Sequence, residues 1–287
     1  MQVRSKLFLE EEIMTKRIYV VTGAASGIGA ATYKLLEERG NEVIGVDIHN
    51  TEVNVDLSTV RGRKDGVQAV IEHSKGKIDG IIACAGLATP IAKTVSVNYF
   101  GVTEFLNGLL PTISKSSEPR VALTSSMASL MPNSPELVAA MLNGSESSAL
   151  AIAQELVDSG AEESALIYGS TKRALSRWVR RESIKPNWAG AGIPLNAVGP
   201  GIVETPMVAD MIATLEARAA IDVMVPMPLN HYLKAIQVAY LLAWLTSAEN
   251  THTTGQTIYI DGGSDAVLRG DDIWTDEMRG SAALLVM

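Results

Sequence analysis

Ile18-Tyr19-Val20-Val21-Thr22-Gly23-Ala24-Ala25-Ser26-Gly27-Ile28-Gly29 is the stretch that decides the fold. Ile18 to Val21 form a short β-rich run ending in Thr22-Gly23, the pattern of a buried strand entering a turn. Ile28, Ala31, Leu35 and Leu36 then recur at helical spacing, and Gly40 stands where a helix stops. Val43-Ile44-Gly45-Val46 make a second strand closing on Asp47, so a complete βαβ unit fills about thirty residues. Its turn points helix N–H groups and the positive end of the helix dipole at whatever the glycines admit, which suits a phosphate. Gly23 permits the tight turn, Gly27 a close backbone approach to a pyrophosphate, and Gly29 close helix packing. Asp47 follows Gly29 by 18 residues, near the ~20 at which an acidic residue meets a ribose 2′-hydroxyl. A carboxylate there repels a 2′-phosphate, and Ile48-His49 bring no compensating cation, so NAD is favoured over NADP.

The alternation continues outward. Ile78 to Cys84, Arg120 to Ser125, Pro194 to Val198 and Gln256 to Asp261 are expected as strands, and Thr94 to Leu110 and Tyr168 to Ile184 as helices. Strands alternating with helices at this spacing imply a Rossmann-like α/β fold, a doubly wound parallel sheet covered on both faces. Two segments break the rhythm. Met127 to Ile167 is 41 residues long where such connections take about 2–6. Its apolar positions between Pro135 and Val157, interrupted near Asn143-Gly144, predict two short amphipathic helices. This helical insertion, about residues 130–165, precedes the Tyr168 helix and is expected to form a lid over substrate with the second segment, Thr205 to Leu229, or else to face a partner subunit. The second segment carries Met207, Met211, Met224 and Met227. Residues 14–287 form a single domain on this reading, and 1–13 a disordered leader.

With 47% hydrophobic and 20% charged residues, the composition is that of a packed globular chain. The formal charge of −8 and the lack of a basic stripe disfavour a nucleic-acid partner. The longest strongly apolar run, Val238 to Leu245, is too short for a bilayer, so no membrane partner is expected. A single cysteine, Cys84, suits a reducing compartment, with cytoplasm the default. Four scattered histidines lack metal-ligand spacing, so no metal is expected.

Tyr168-Gly169-Ser170-Thr171-Lys172 places a phenol and an ammonium four residues apart, on one face of a helix. A phenol is a poor acid–base group at neutral pH, and a neighbouring positive charge lowers its pKa toward the working range. Lys172 is expected to supply that charge.

Taken with Thr22 to Gly29, the residues Asp56-Leu57, Cys84-Ala85-Gly86, Asn98, Ser125-Ser126 and Asn196-Ala197-Val198-Gly199-Pro200-Gly201 leading to Thr205 complete a pattern. In their order and spacing the chain resembles the short-chain dehydrogenases/reductases from about Thr15 to Ala266. Val95 to Gly101, Asp261-Gly262-Gly263 with Asp265-Ala266-Val267, and the insertion after Ser126 make it similar to their bacterial 3α-hydroxysteroid dehydrogenase/carbonyl reductase branch. It departs from the common family pattern at Cys84, where Asn is usual, and at Pro228 to His231, where many members carry Gly-Arg.

The resemblance implies a catalytic tetrad of Asn98, Ser126, Tyr168 and Lys172, with Asn98 anchoring a water for proton relay and Lys172 also holding the nicotinamide ribose. It implies an NAD site of Gly23, Ser26, Gly27, Ile28, Gly29, Asp47, Ile48, Asp56, Leu57, Ala85, Gly86, Pro200, Gly201, Val203 and Thr205 beside Tyr168 and Lys172. Asp56 and Leu57 meet adenine on this view, and Val203 and Thr205 the carboxamide. The implied activity is NAD-linked interconversion of a secondary alcohol and a ketone, and the implied assembly a homo-oligomer, a dimer before a tetramer. The methionine-rich loop suggests a bulky apolar substrate, such as a 3-hydroxysteroid. The alternative is a non-catalytic NAD-binding regulator or scaffold, against which the intact tetrad argues.

Overall fold

The computed structural model describes residues 16–274; the expected leader lies outside them. Seven strands form one parallel sheet in the order β3-β2-β1-β4-β5-β6-β9. These are β1 (Ile18–Thr22), β2 (Glu42–Asp47), β3 (Val53–Asn54), β4 (Gly80–Ala83), β5 (Arg120–Thr124), β6 (Leu195–Pro200) and β9 (Thr257–Ile260). A separate parallel pair joins β7 (Val203–Glu204) to β8 (Leu233–Lys234). The expected strands are all present, and the order reverses between β1 and β4, which opens a crevice at their carboxyl ends.

Both faces of the sheet are covered because successive strand residues point to opposite sides. Val20, Ile44, Ile81, Val121 and Leu195 face one layer, with Phe105, Leu106 and Leu109 of α4 (Gly101–Ile113) and Trp178 of α7 (Ala161–Glu182). Val21, Val43, Ile82, Ala122 and Val198 face the other, against Leu35 and Leu36 of α1 (Gly27–Glu38) and Val238, Ala239 and Leu242 of α9 (Ala235–Leu245). The apolar run Val238 to Leu245 is thus a helix packed on the sheet beside α1. The short β3 and the polar α2 (Val60–His73) carried no reading from sequence: one is two residues long, and the other buries only Arg63, Gly66 and Val70.

Before α4 the chain runs through a single turn, α3 (Lys93–Val95), and a π turn, Ser96–Phe100, closed by the Gly101 N–H bonding to Ser96 O. The insertion folds as the two helices expected of it, α5 (Pro135–Leu142) and α6 (Glu146–Ser159), separated at Gly144, whose φ is +77°. Ser134 caps the first, accepting from Leu137 N at 3.1 Å, and Ser145 the second, accepting from Ser148 N at 3.4 Å. α7 starts at Ala161, two turns before Tyr168, so the insertion is shorter than its sequence outline.

The lid expected of the insertion is not what the structure has. Leu137, Val138, Met141, Ala149 and Ala153 are buried in the first layer with Ile167, Val95 and Tyr99, so α5 and α6 pack on α7 and the π turn. Buried Arg63 of α2 fastens them: its guanidinium meets Glu146 at 2.5 Å and its Nε lies 2.8 Å from Glu104 Oε2. Arg181 Nη1 donates to Leu142 O at 2.9 Å, closing α5 onto α7. The apolar stripes of α5 and α6 find their partners here, on the body of the domain.

Thr205 to Leu229 instead buries Ile212, Ile221 and Val225 with Met127 and Ile202, and Met131, Val208, Tyr232 and Tyr259 pack around them. Within it α8 (Leu215–Met224) is capped by Thr214, which accepts from Ala217 N at 3.1 Å. This segment, and not the helical insertion, reaches the crevice.

Candidate active site

A cleft of about 370 Å³ lies along the carboxyl ends of β2, β1, β4, β5 and β6. Gly27 lies at φ +55°, in the left-handed region open to glycine, and a Cβ on Gly29 would stand 2.1 Å from Gly23 O. Side chains are thereby excluded from the turn, leaving a backbone cradle at the amino end of α1 that suits a pyrophosphate. Asp47 closes the next strand with Oδ2 accepting from Ala25 N at 3.0 Å and Oδ1 from Ile48 N at 2.7 Å. Each oxygen keeps a lone pair for a ribose diol. Thr22 Oγ1 accepts from both Cys84 N and Ala85 N at 3.1 Å, which ties the exit of β4 to β1 and sets Ala85-Gly86 on the cleft wall.

At the outer end Asp56 receives Ser58 N at 2.9 Å and Lys93 Nζ at 3.2 Å. The Ser58 hydrogen bonds, with Lys93 behind them, hold its carboxyl below the usual carboxylate range. At the opposite end, Ser126 follows β5 and accepts from Ala128 N at 3.1 Å. Tyr168 and Lys172 line the same end from α7, with Lys172 Nζ 5.6 Å from the Tyr168 ring centre. Lys172 Nζ donates to Thr124 O at 2.9 Å, and Ser125 Oγ donates to Lys172 O at 3.0 Å, so the end of β5 and the residue after it grip the lysine at both ends.

Burial governs the electrostatics. It raises the Tyr168 phenol above its usual value, and a hydrogen bond with Ser126 offsets part of the rise. Burial brings Lys172 down to about 8, opposed by Cys84, and pushes the Cys84 thiol up to about 11, opposed by a hydrogen bond from Thr124 Oγ1 and by Lys172. The lowering expected of Lys172 is absent in the protein alone: desolvation sets the direction of the Tyr168 shift, and the offset comes from Ser126.

Ser126, Tyr168, Lys172 and every residue expected at the cofactor, from Gly23 to Thr205, line this one cleft. Asn98 does not. It is buried in the π turn, where Oδ1 accepts from Leu87 N at 2.7 Å and Nδ2 donates to Leu87 O at 2.9 Å and to Thr171 Oγ1 at 3.1 Å. Its side chain fixes the Leu87 loop to α7. Sequence reading missed Leu87, Lys93 and Thr124 as cleft residues, whereas Met207 and Val208 belong to the Thr205 to Leu229 segment expected over the substrate. Thr124 was within reach, being the last residue of β5, directly before Ser125-Ser126, whereas Lys93 opens the single turn α3, which has no pattern of its own.

Residues 23–265 match the family model described as enoyl-(acyl carrier protein) reductase. The chain is 37% identical over 257 residues to the 3-alpha-hydroxysteroid dehydrogenase/carbonyl reductase of Comamonas testosteroni, covering 88% of this chain and 98% of that protein. It is 27% identical to cis-4-hydroxycyclohexanecarboxylate dehydrogenase of Sinomonas cyclohexanicum, over 89% of this chain and 99% of that one. Among solved structures, the 3-alpha-hydroxysteroid dehydrogenase from Pseudomonas sp. B-0831 complexed with NADH superposes with a TM-score of 0.80 at 34% identity, covering 89% of this chain and all of that one.

Proposed function

Because the chain belongs to the short-chain dehydrogenase/reductase family, we propose that it interconverts a secondary alcohol and a ketone with NAD(H), on a bulky apolar substrate of the hydroxysteroid kind. The observation that carries this reading is the single cleft, in which the glycine cradle and Asp47 lie at one side and Ser126, Tyr168 and Lys172 at the other. The relatives named for 3-alpha-hydroxysteroid oxidation and the NADH-bound relative support both the cofactor and the substrate class.

The nicotinamide, when bound, accepts or donates the hydride. Tyr168 moves the proton: its phenol donates to the carbonyl oxygen in reduction and its phenolate takes the hydroxyl proton in oxidation. Ser126, which lines the cleft beside Tyr168, holds that oxygen and stabilises developing alkoxide. Lys172, fixed by Thr124 O, donates its remaining N–H groups to the nicotinamide ribose. Asn98 acts at one remove as a positioning residue, since its amide is spent on Leu87 and Thr171. Asp47 takes the adenosine ribose hydroxyls and excludes a 2′-phosphate. Leu87, Met207 and Val208 give the substrate apolar walls, and flexible thioethers adapt to a rigid polycyclic body.

The test compares wild type with Tyr168→Phe on a panel of hydroxysteroids and cyclic ketones, following NADH absorbance and, separately, NAD affinity by calorimetry. Tyr168→Phe is expected to lower kcat by about 10²–10⁴-fold while leaving NAD affinity in place. Near-wild-type turnover in that variant, or preference of the wild type for NADP, would overturn the assignment.

A further inference from the structure

We infer that Lys93 is an adenine-recognition residue: beside Asp56, which the family resemblance already places at the adenine, it donates to a ring nitrogen of the base. The inference rests on the proposed NAD site and deepens it. Strand order sets the direction of the dinucleotide. Ser126 follows β5 and the phosphate cradle follows β1, while Asp47 ends β2 and Asp56 follows β3, the outermost strand. A ligand with its reactive ring at Tyr168 and its pyrophosphate at α1 therefore places its far base beside Asp56 and Lys93.

The donor and acceptor count fits an adenine edge. Asp56 Oδ1 receives Ser58 N and Oδ2 receives Lys93 Nζ, leaving a lone pair on each. Lys93 spends one N–H on Asp56 and keeps two. Adenine presents an amino donor next to a ring-nitrogen acceptor, and an adjacent acceptor and donor on the protein, here 3.2 Å apart, read the two together. The partners are 53% and 44% exposed, so the ion pair contributes little to stability and its loss leaves the fold intact. That exposure also leaves the free N–H groups available to a ligand.

The measurement is the dissociation constant, by calorimetry, of wild type and Lys93→Met for NAD and for its 7-deaza and 1-deaza adenine analogues. Lys93→Met is expected to weaken NAD about five-fold or more. One of the two analogues is expected to show the same loss with wild type and no further loss with Lys93→Met, because both changes remove one hydrogen bond. If Lys93 only orients Asp56, the variant weakens NAD and both analogues alike, and the inference falls. It falls as well if Lys93→Met binds NAD within about two-fold of wild type. Failure of wild type to bind NAD removes the proposed function and this inference together, whereas normal NAD binding with no coupling to either analogue removes this inference alone.

Discussion

Lys172 has an ammonium buried to 5% exposure, its pKa brought from the usual 10.5 to about 8. The unfolded chain binds its proton more tightly, so below about pH 8 the buried charge destabilises the fold by on the order of 3 kcal/mol, and stability recovers as pH rises from about 8 to 10.5. Lys172→Met removes that burden and loses the hydrogen bond to Thr124 O, worth about 1 kcal/mol. Thermal melts at neutral pH are expected to show the variant several degrees more stable than wild type, with the gap closing toward the top of that window, while its turnover collapses. A variant less stable than wild type at neutral pH would contradict the assigned desolvation. Cys84 follows the same physics: with its thiol held near 11, it is expected to resist iodoacetamide at neutral pH and to react once the chain is unfolded. Rapid alkylation of the native protein would show a thiol far more acidic than burial allows.

At the scale of elements, α5 and α6 are part of the core. Replacing Asn133 to Ser164 with a short Gly/Ser linker is expected to uncover Val95, Tyr99 and Ile167 and to leave Arg63 facing Glu104 alone, so the product melts far below wild type or aggregates. The milder Arg63→Met, which leaves two partly exposed carboxylates without their partner, is expected to lower stability by about 1–2 kcal/mol in denaturant titrations, with little effect on KM. A selective rise in KM for bulky ketones would restore the lid. The contrast between the two insertion readings shows what periodicity carries. The apolar spacing and the Asn143-Gly144 break located both helices because each is a local pattern. Their docking depended on Arg63, Glu104 and Glu146, residues up to 83 positions apart that chance to meet around one guanidinium, and no local pattern encodes that. The glycine turn, Asp47 and the Tyr168–Lys172 spacing were legible for the opposite reason, since one strand end or one helical turn fixes each group. The role of Asn98 was only partly legible: its position in the π turn spends the side chain on Leu87 and Thr171, a consequence of backbone bonding that composition does not reveal.

Over the whole molecule, the parallel sheet brings the carboxyl ends of β2, β1, β4, β5 and β6 to one edge, so that groups 149 residues apart, Gly23 and Lys172, border the same cleft. On the proposed function, this edge joins a cofactor to a carbinol carbon so that hydride passes directly between them. The most direct test is isotopic. A 3-hydroxysteroid substrate carrying deuterium on its carbinol carbon is incubated with the enzyme and NAD, and the reduced cofactor is analysed by mass spectrometry. Direct transfer requires the deuterium to appear in NADH, with no label acquired from deuterated water when the substrate is unlabelled. NADH that carries solvent hydrogen instead, or the absence of reduced cofactor across the hydroxysteroid and ketone panel, would contradict it.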